Sequence, residues 1–244
     1  DVDLAAIAAL TWGMVGSELA MIVNEACMEA ARRDAPCVEQ IDLTNAVQVN
    51  QVGRARTSAL VTERDREITA YHEAGHAVAA ELLEHVEGPS IVSIIPRGQA
   101  GGATHLGGSD NQFFTIEEAH DRMVVMMGGR VGEMLLLGES NFTQGAAHDI
   151  QSATGLANAM VTQFGMGTRD IAFVGDDAVR VGGALSVRVH QDANDYLNHA
   201  LERAKSLLLA GPGREFVLRL VQELQVEETV YREQMDRLRA ECAA

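Results

Sequence analysis

The chain has 244 residues and carries 19 Lys+Arg against 35 Asp+Glu, a formal net charge of −16, which argues against nucleic acid or an anionic membrane surface as its partner. Its 47% apolar and 22% charged residues are an ordinary globular balance, which excludes wholesale disorder and fits one large domain or a small domain followed by a medium one. The three cysteines, Cys27, Cys37 and Cys242, have no CxxC spacing, so they offer neither a cysteine–zinc cluster nor a disulfide framework and suit a reducing compartment.

From Ser17 to Ala31 the apolar positions Leu19, Ile22, Val23, Ala26, Cys27 and Ala30 follow helical spacing, with Ser17 as N-cap and Asp34-Ala35-Pro36 as the stop. A second short helix is expected after a cap-like Asp42, so residues 1–53 read as a small helical unit. The polar stretch Gly53 to Ser58 reads as a linker into a second domain, residues 54–244. There Thr62-Glu63-Arg64-Asp65 resembles a capping box and opens a long helix to about Glu84. Ile91 to Ile95, β-branched and stopped by Pro96, and Ala103 to Leu106 predict two short strands. Thr115 and Glu118 cap a helix to about Leu137, and another runs from about Ala146 to Phe164. The Gly-, Asp- and Val-rich segment 165–188 reads as a hairpin or a mobile loop. A stripe of Tyr196, Leu197, Ala200, Ala204 and Leu207 marks a helix over 192–209, Gly211-Pro212-Gly213 breaks it, and at least one more helix ends the chain. The expected fold is therefore mainly α with a small hairpin or sheet.

His72-Glu73-Ala74-Gly75-His76 is the sharpest chemical signal, because it falls within a segment already read as helix. Histidines at i and i+4 project from one face of a helix, so both imidazoles reach one tetrahedral zinc. Glu73, about a third of a turn away, can take a proton from water without ligating the metal. Glycine inside a helix costs about 1 kcal/mol relative to alanine, so Gly75 points to a close approach at that turn. A catalytic zinc needs a third protein ligand; Glu133, His148 and Asp149 are the candidates by position, with His105 and His120 weaker ones.

The stretch Ala70 to Ala77, followed by Val92-Ser93-Ile94-Ile95-Pro96-Arg97-Gly98, closely resembles the peptidase domain of the FtsH family of AAA+ zinc metalloproteases. The likeness continues through Gly128 to Glu133, Thr143 to Ile150 and Met160 to Met166, all in the order in which the family has them. It reaches back to Gly16-Ser17-Glu18-Leu19 and Asn24-Glu25-Ala26, which resemble the helical lid of that family's ATPase module. The resemblance implies a helical zinc metallopeptidase domain preceded by a small AAA lid, with His72, His76 and Asp149 as ligands of one Zn2+ and Glu73 as general base. Glu133 is then a carboxylate that orients a histidine, or one salt-bridged to Arg130. Gly16 and Ser17 correspond to adenine-side positions of the complete ATPase. ATP enters only through an ATPase core this sequence lacks: it holds no GxxxxGK[ST] loop, and its only lysine, Lys205, is mid-helix.

The sequence departs from the family at Gln99-Ala100-Gly101-Gly102-Ala103-Thr104, where the strand bordering the site usually contains Ala-Leu-Gly, and at an insertion-like Ser140-Asn141-Phe142. Two glycines weaken strand propensity, so substrate grip is expected to differ. The resemblance further implies unfolded-protein or peptide substrates, a homo-hexameric ring and a membrane anchor upstream of this chain. The protease would then face the cytosol, or the matrix or stroma in an organelle. The start at Asp1, with no Met and no signal-peptide pattern, fits a piece of a longer protein. Tyr231, Met235 and Leu238 are candidate material for the ring interface. The rival reading is a non-proteolytic assembly or chaperone-like subunit, against which the intact HExxH stands. A purely structural zinc is disfavoured because such a site is closed by four ligands and needs no adjacent base.

Overall fold

The computed structural model describes residues 2–56, 61–98, 100–107, 113–167 and 183–242. Three helices come first: α1 (Leu4–Leu10), α2 (Gly16–Arg32) and α3 (Gln40–Val52). They bury a small cluster of their own, Ile22 and Ala26 of α2 against Leu43, Ala46 and Val47 of α3. Two expected caps move. The α2 helix starts at Gly16, where the Glu18 carboxylate accepts from the Val15 N–H at 2.8 Å, so Ser17 lies inside the first turn rather than capping it. Asp42 is likewise the third residue of α3, accepting from the Glu39 N–H at 2.9 Å and from Arg33 at 2.7 Å. In both cases an acidic residue three positions inside the helix reaches back to the cap, satisfying an otherwise orphan donor.

The remaining elements surround one larger core. They are α4 (Glu63–Leu82), β1 (Pro89–Ser93), β2 (Ala103–Leu106), α5 (Ile116–Leu137), α6 (Ala147–Thr162), α7 (Ala184–Leu208), α8 (Gly211–Glu227), β3 (Thr229–Tyr231) and α9 (Arg232–Cys242). Thr62 and Thr115 cap α4 and α5 as expected, their hydroxyls accepting from Asp65 N–H at 3.1 Å and Glu118 N–H at 3.2 Å. The α4 and α5 axes come together through glycines. A β-carbon on Gly75 would sit 2.1 Å from the Gly128 carbonyl oxygen, and one on Gly132 would sit 2.0 Å from that of Tyr71. The close approach implied by Gly75 is therefore the backbone of α5, and it sets the two helices that carry the chemistry side by side.

The sheet has three strands in the order β2-β1-β3, all antiparallel, where the sequence reading had two. Three residues show no readable alternation, so β3 has no local signature. It forms because Glu228 adopts a left-handed turn (φ 58°) at the end of α8 and its carbonyl accepts from the Ile94 N–H at 2.9 Å. Helix α7 begins at Ala184, so residues 184–188 belong to it rather than to the expected hairpin or loop; its early turn buries Val189 against Val161 of α6. Residues 168–182 of that segment, and 57–58 of the linker, lie outside the described residues. Helix α7 ends at Leu208, and Gly211-Pro212-Gly213, expected as a break, forms the first turn of α8 behind its N-cap Ala210; α8 and α9 together supply the expected closing helices.

Met235 and Leu238 are buried in the chain's own core and Tyr231 is half-buried in β3. None of the three is thus the free apolar surface expected for a ring interface. Helix α9, which carries Met235 and Leu238, is tied to α4 by the buried Glu81, which accepts from Arg239 at 3.0 Å and also from Arg232. Among the described residues no helix is long and apolar enough to cross a membrane.

Candidate metal centre and cleft

Helix α4 presents His72 and His76 one turn apart, with their Nε2 atoms 3.1 Å from each other. Asp149, in the first turn of α6, brings its Oδ2 to 3.3 Å from His72 Nε2 and 3.5 Å from His76 Nε2. Among the described residues this is the one group of three or more potential ligands whose donor atoms all lie within 4.8 Å of one another. Tetrahedral ligands about 2.0–2.1 Å from a zinc are about 3.3 Å apart, so the triangle has the size of three zinc ligands.

The chemistry of the donors fits as well. His76 Nδ1 lies 2.7 Å from the Val125 carbonyl, which can only accept, so Nδ1 carries the proton and Nε2 offers its lone pair. His72 Nδ1 lies 3.0 Å from Glu133 Oε1 and is oriented in the same way. Burial opposes a charge on His72, yet its hydrogen bonds with Asp149 and Glu133 outweigh that and push its pKa up to about 10. Burial would raise the Asp149 pKa, but the two histidines hold it far below the usual carboxylate range. The pocket is therefore one that stabilises positive charge, and the residues present suit a zinc ion.

Glu133 does more than orient a ring. While Oε1 faces His72, Oε2 accepts from the Thr143 N–H at 2.7 Å, and the Thr143 hydroxyl accepts from Gly145 N–H at 2.9 Å. One buried carboxylate thus ties a histidine of α4 to the loop that delivers Asp149. Despite its burial, these donors keep it ionised, with a lowered pKa. The alternative partner, Arg130, instead lays its guanidinium over the Phe142 ring at 3.5 Å, giving the insertion-like Ser140-Asn141-Phe142 a packing role.

Glu73 is buried, with 7% of its surface exposed, and borders an open cleft of about 1240 Å³ whose wall includes Thr69, Gly101, Thr104, Leu106, Gln144 and His148. The Thr104 hydroxyl lies 2.7 Å from Glu73 Oε2. Of the other ligand candidates, His148 lines the cleft but is outside the cluster, and His105 sits on β2 with its Nε2 buried. His120 is elsewhere, its ring 4.4 Å from that of His199. Gly16 and Ser17 open α2 on the exposed side of the first three helices.

Two contributors escaped the sequence reading. Gly129 backs the metal cluster: a β-carbon there would be 2.4 Å from His76 Nε2 and 2.7 Å from His72 Nε2. Thr104 reaches Glu73 from a strand 31 residues downstream. The only signals available for either were the Gly128-Gly129 pair inside a helix and the Gly101-Gly102 pair before a strand, which mark close contact without naming the partner.

Residues 59–238 match the model of peptidase family M41, and residues 1–45 match that of the AAA+ lid domain. An ATP-dependent zinc metalloprotease FtsH of Synechococcus sp. is 43% identical over 171 residues, covering 69% of this chain and 27% of that protein. The enzyme of that name from Thermus thermophilus is 34% identical over 248 residues, covering 98% of this chain and 39% of its own length. FtsH 2 of Sphaerobacter thermophilus is also 34% identical, over 242 residues, with 98% of this chain and 36% of that protein covered. The chain thus spans between a quarter and two fifths of the length of these curated relatives. A family match across most of the chain, centred on a three-ligand cluster of zinc dimensions beside a buried carboxylate, places the chain in peptidase family M41.

Proposed function

We propose that this chain is the zinc-dependent endopeptidase part of a larger ATP-dependent protease, with unfolded or extended polypeptide as its substrate. The observation that carries the reading is the His72, His76, Asp149 triangle with Glu73 beside it on the cleft wall. His72, His76 and Asp149 would hold the ion, and bound zinc supplies Lewis acidity that lowers the pKa of water toward about 7. Glu73 takes the proton that water loses as its oxygen attacks the peptide carbonyl carbon. It then hands that proton to the amine nitrogen as the C–N bond breaks. Glu133 and Val125 hold the two imidazoles in the tautomer that ligation needs. The open cleft suits an extended chain rather than a folded domain.

Glu73→Gln tests the reading. Zinc should remain at about one per chain while casein hydrolysis falls at least 100-fold, since base catalysis is worth roughly 10²–10⁴. Activity within about tenfold of wild type would contradict the role of Glu73. Asp149→Ala should lower zinc content and activity together, and retention of full zinc would remove Asp149 from the ligand set. Coupling to ATP is inferred from the lid match and the relatives' names. The hexameric ring and membrane anchor rest on the resemblance alone, and light scattering giving six times 26.2 kDa would support the ring.

A further inference from the structure

We propose that Thr104 is a positioning residue for hydrolysis: its hydroxyl holds the Glu73 carboxylate in its working orientation, and Gly102 leaves the space in which that carboxylate sits. The inference rests on the assignment of Glu73 as base, and it begins from β2. Residues 102 and 104 are two apart in extended chain, so they address the same side. That side faces α4. The Thr104 hydroxyl donates to Glu73 Oε2 at 2.7 Å, with the Glu73 backbone carbonyl at 3.2 Å as a weaker alternative. A hydroxyl has one proton, and the shorter, charge-assisted bond to the carboxylate takes it. On the other side, a β-carbon at Gly102 would lie 2.8 Å from Glu73 Oε1, 2.8 Å from its Cγ and 2.7 Å from the Ser93 carbonyl oxygen.

The carboxylate is therefore confined between a donor and a backbone wall. A free glutamate side chain has three rotatable bonds and would sample orientations useless for proton transfer. Here one oxygen is engaged by Thr104, and Oε1 remains for the proton. The threonine stands on β2, an edge strand of the sheet that lines the cleft. Anything that shifts β2 consequently shifts the base. The Gly101-Gly102 pair, which reads in the sequence as a weakened strand, is at its second position a requirement of Glu73.

Thr104→Val keeps the shape and removes the donor; Thr104→Ser keeps the donor and removes a methyl. Both should be compared with wild type and Glu73→Gln for zinc content, thermal midpoint, kcat and KM on a fluorogenic peptide. For Thr104→Val the expected result is one zinc per chain, a KM within about twofold, and a kcat lowered about 10- to 100-fold, as loss of one bond to a charged group implies. Thr104→Ser should recover kcat to within about threefold. A Thr104→Val enzyme within twofold of wild-type kcat overturns the proposal, as does a serine variant as slow as the valine one, since that would assign the effect to packing. If the valine variant is poorly folded, Thr104→Ala takes its place beside the serine variant: one zinc per chain with kcat lowered at least about tenfold supports the hydroxyl, and kcat within about twofold of wild type overturns it. Should Glu73→Gln be active, the assignment of the base fails and this proposal with it; should Glu73→Gln be dead while Thr104→Val is unaffected, only the positioning role fails.

Discussion

Gly129 lies so close to His76 that a β-carbon added to it would be 2.4 Å from the imidazole Nε2, the atom that faces the metal position. The glycine stands inside α5, where alanine would be favoured by about 1 kcal/mol on helix propensity. Its local cost is offset by room for the ligands.

Gly129→Ala should therefore separate metal binding from folding. The neighbouring atoms are the ends of side chains that can rotate away, so the metal-free protein should melt within a few degrees of wild type. Zinc affinity should fall at least about tenfold, because the displaced rings lose their hydrogen-bonded orientation. Competition with a chromogenic chelator measures this, and unchanged affinity would refute the contact.

Gly75→Ala should do the opposite. Here the β-carbon would meet the Gly128 carbonyl oxygen, backbone of a neighbouring helix, at 2.1 Å. The helices must separate, and the destabilisation should reach about 3 kcal/mol, the upper end for overpacking. Urea midpoints of the two glycine variants, measured side by side, give the contrast.

Glu133→Gln should weaken zinc by roughly 10–100-fold without abolishing binding. The carboxylate faces two donors, His72 Nδ1–H and the Thr143 N–H. An amide offers one oxygen and must turn its NH2 toward the other donor. Metal titration and peptide hydrolysis should decline together, whereas the melting temperature of the metal-free chain should change less.

Acid sensitivity should reside partly in His120. Burial is the main cause that lowers its pKa below 6.5, and His199 and Arg203 act in the same direction. The unfolded chain therefore takes up this proton first as pH falls, so the stability His120 allows at neutral pH is lost from about pH 6.5 downward through its folded pKa. His120→Gln should flatten the fall of the urea midpoint between pH 7.5 and 5.5. An identical slope in wild type and variant would show that His120 does not contribute.

The sequence alone determined what depends on near neighbours. An i, i+4 histidine pair on a capped helix needs nothing beyond helical geometry, and the caps at Thr62 and Thr115 are satisfied within one turn. Resemblance to a known family added Asp149, which spacing could not, since 72 and 149 are brought together only by the packing of α4, α5 and α6. What tertiary structure decided are contacts whose partners are far apart in the chain. Gly129 is required by rings on another helix, Thr104 finds its carboxylate across the cleft wall, and Glu133 joins two segments at once. The three-residue β3 and the burial of Met235 and Leu238 belong to the same class. A glycine or a threonine shows in sequence only that space or a hydroxyl is on offer. Which group uses it is set by the fold, because a hydrogen bond or a steric contact acts over a few ångströms of space and not along the chain.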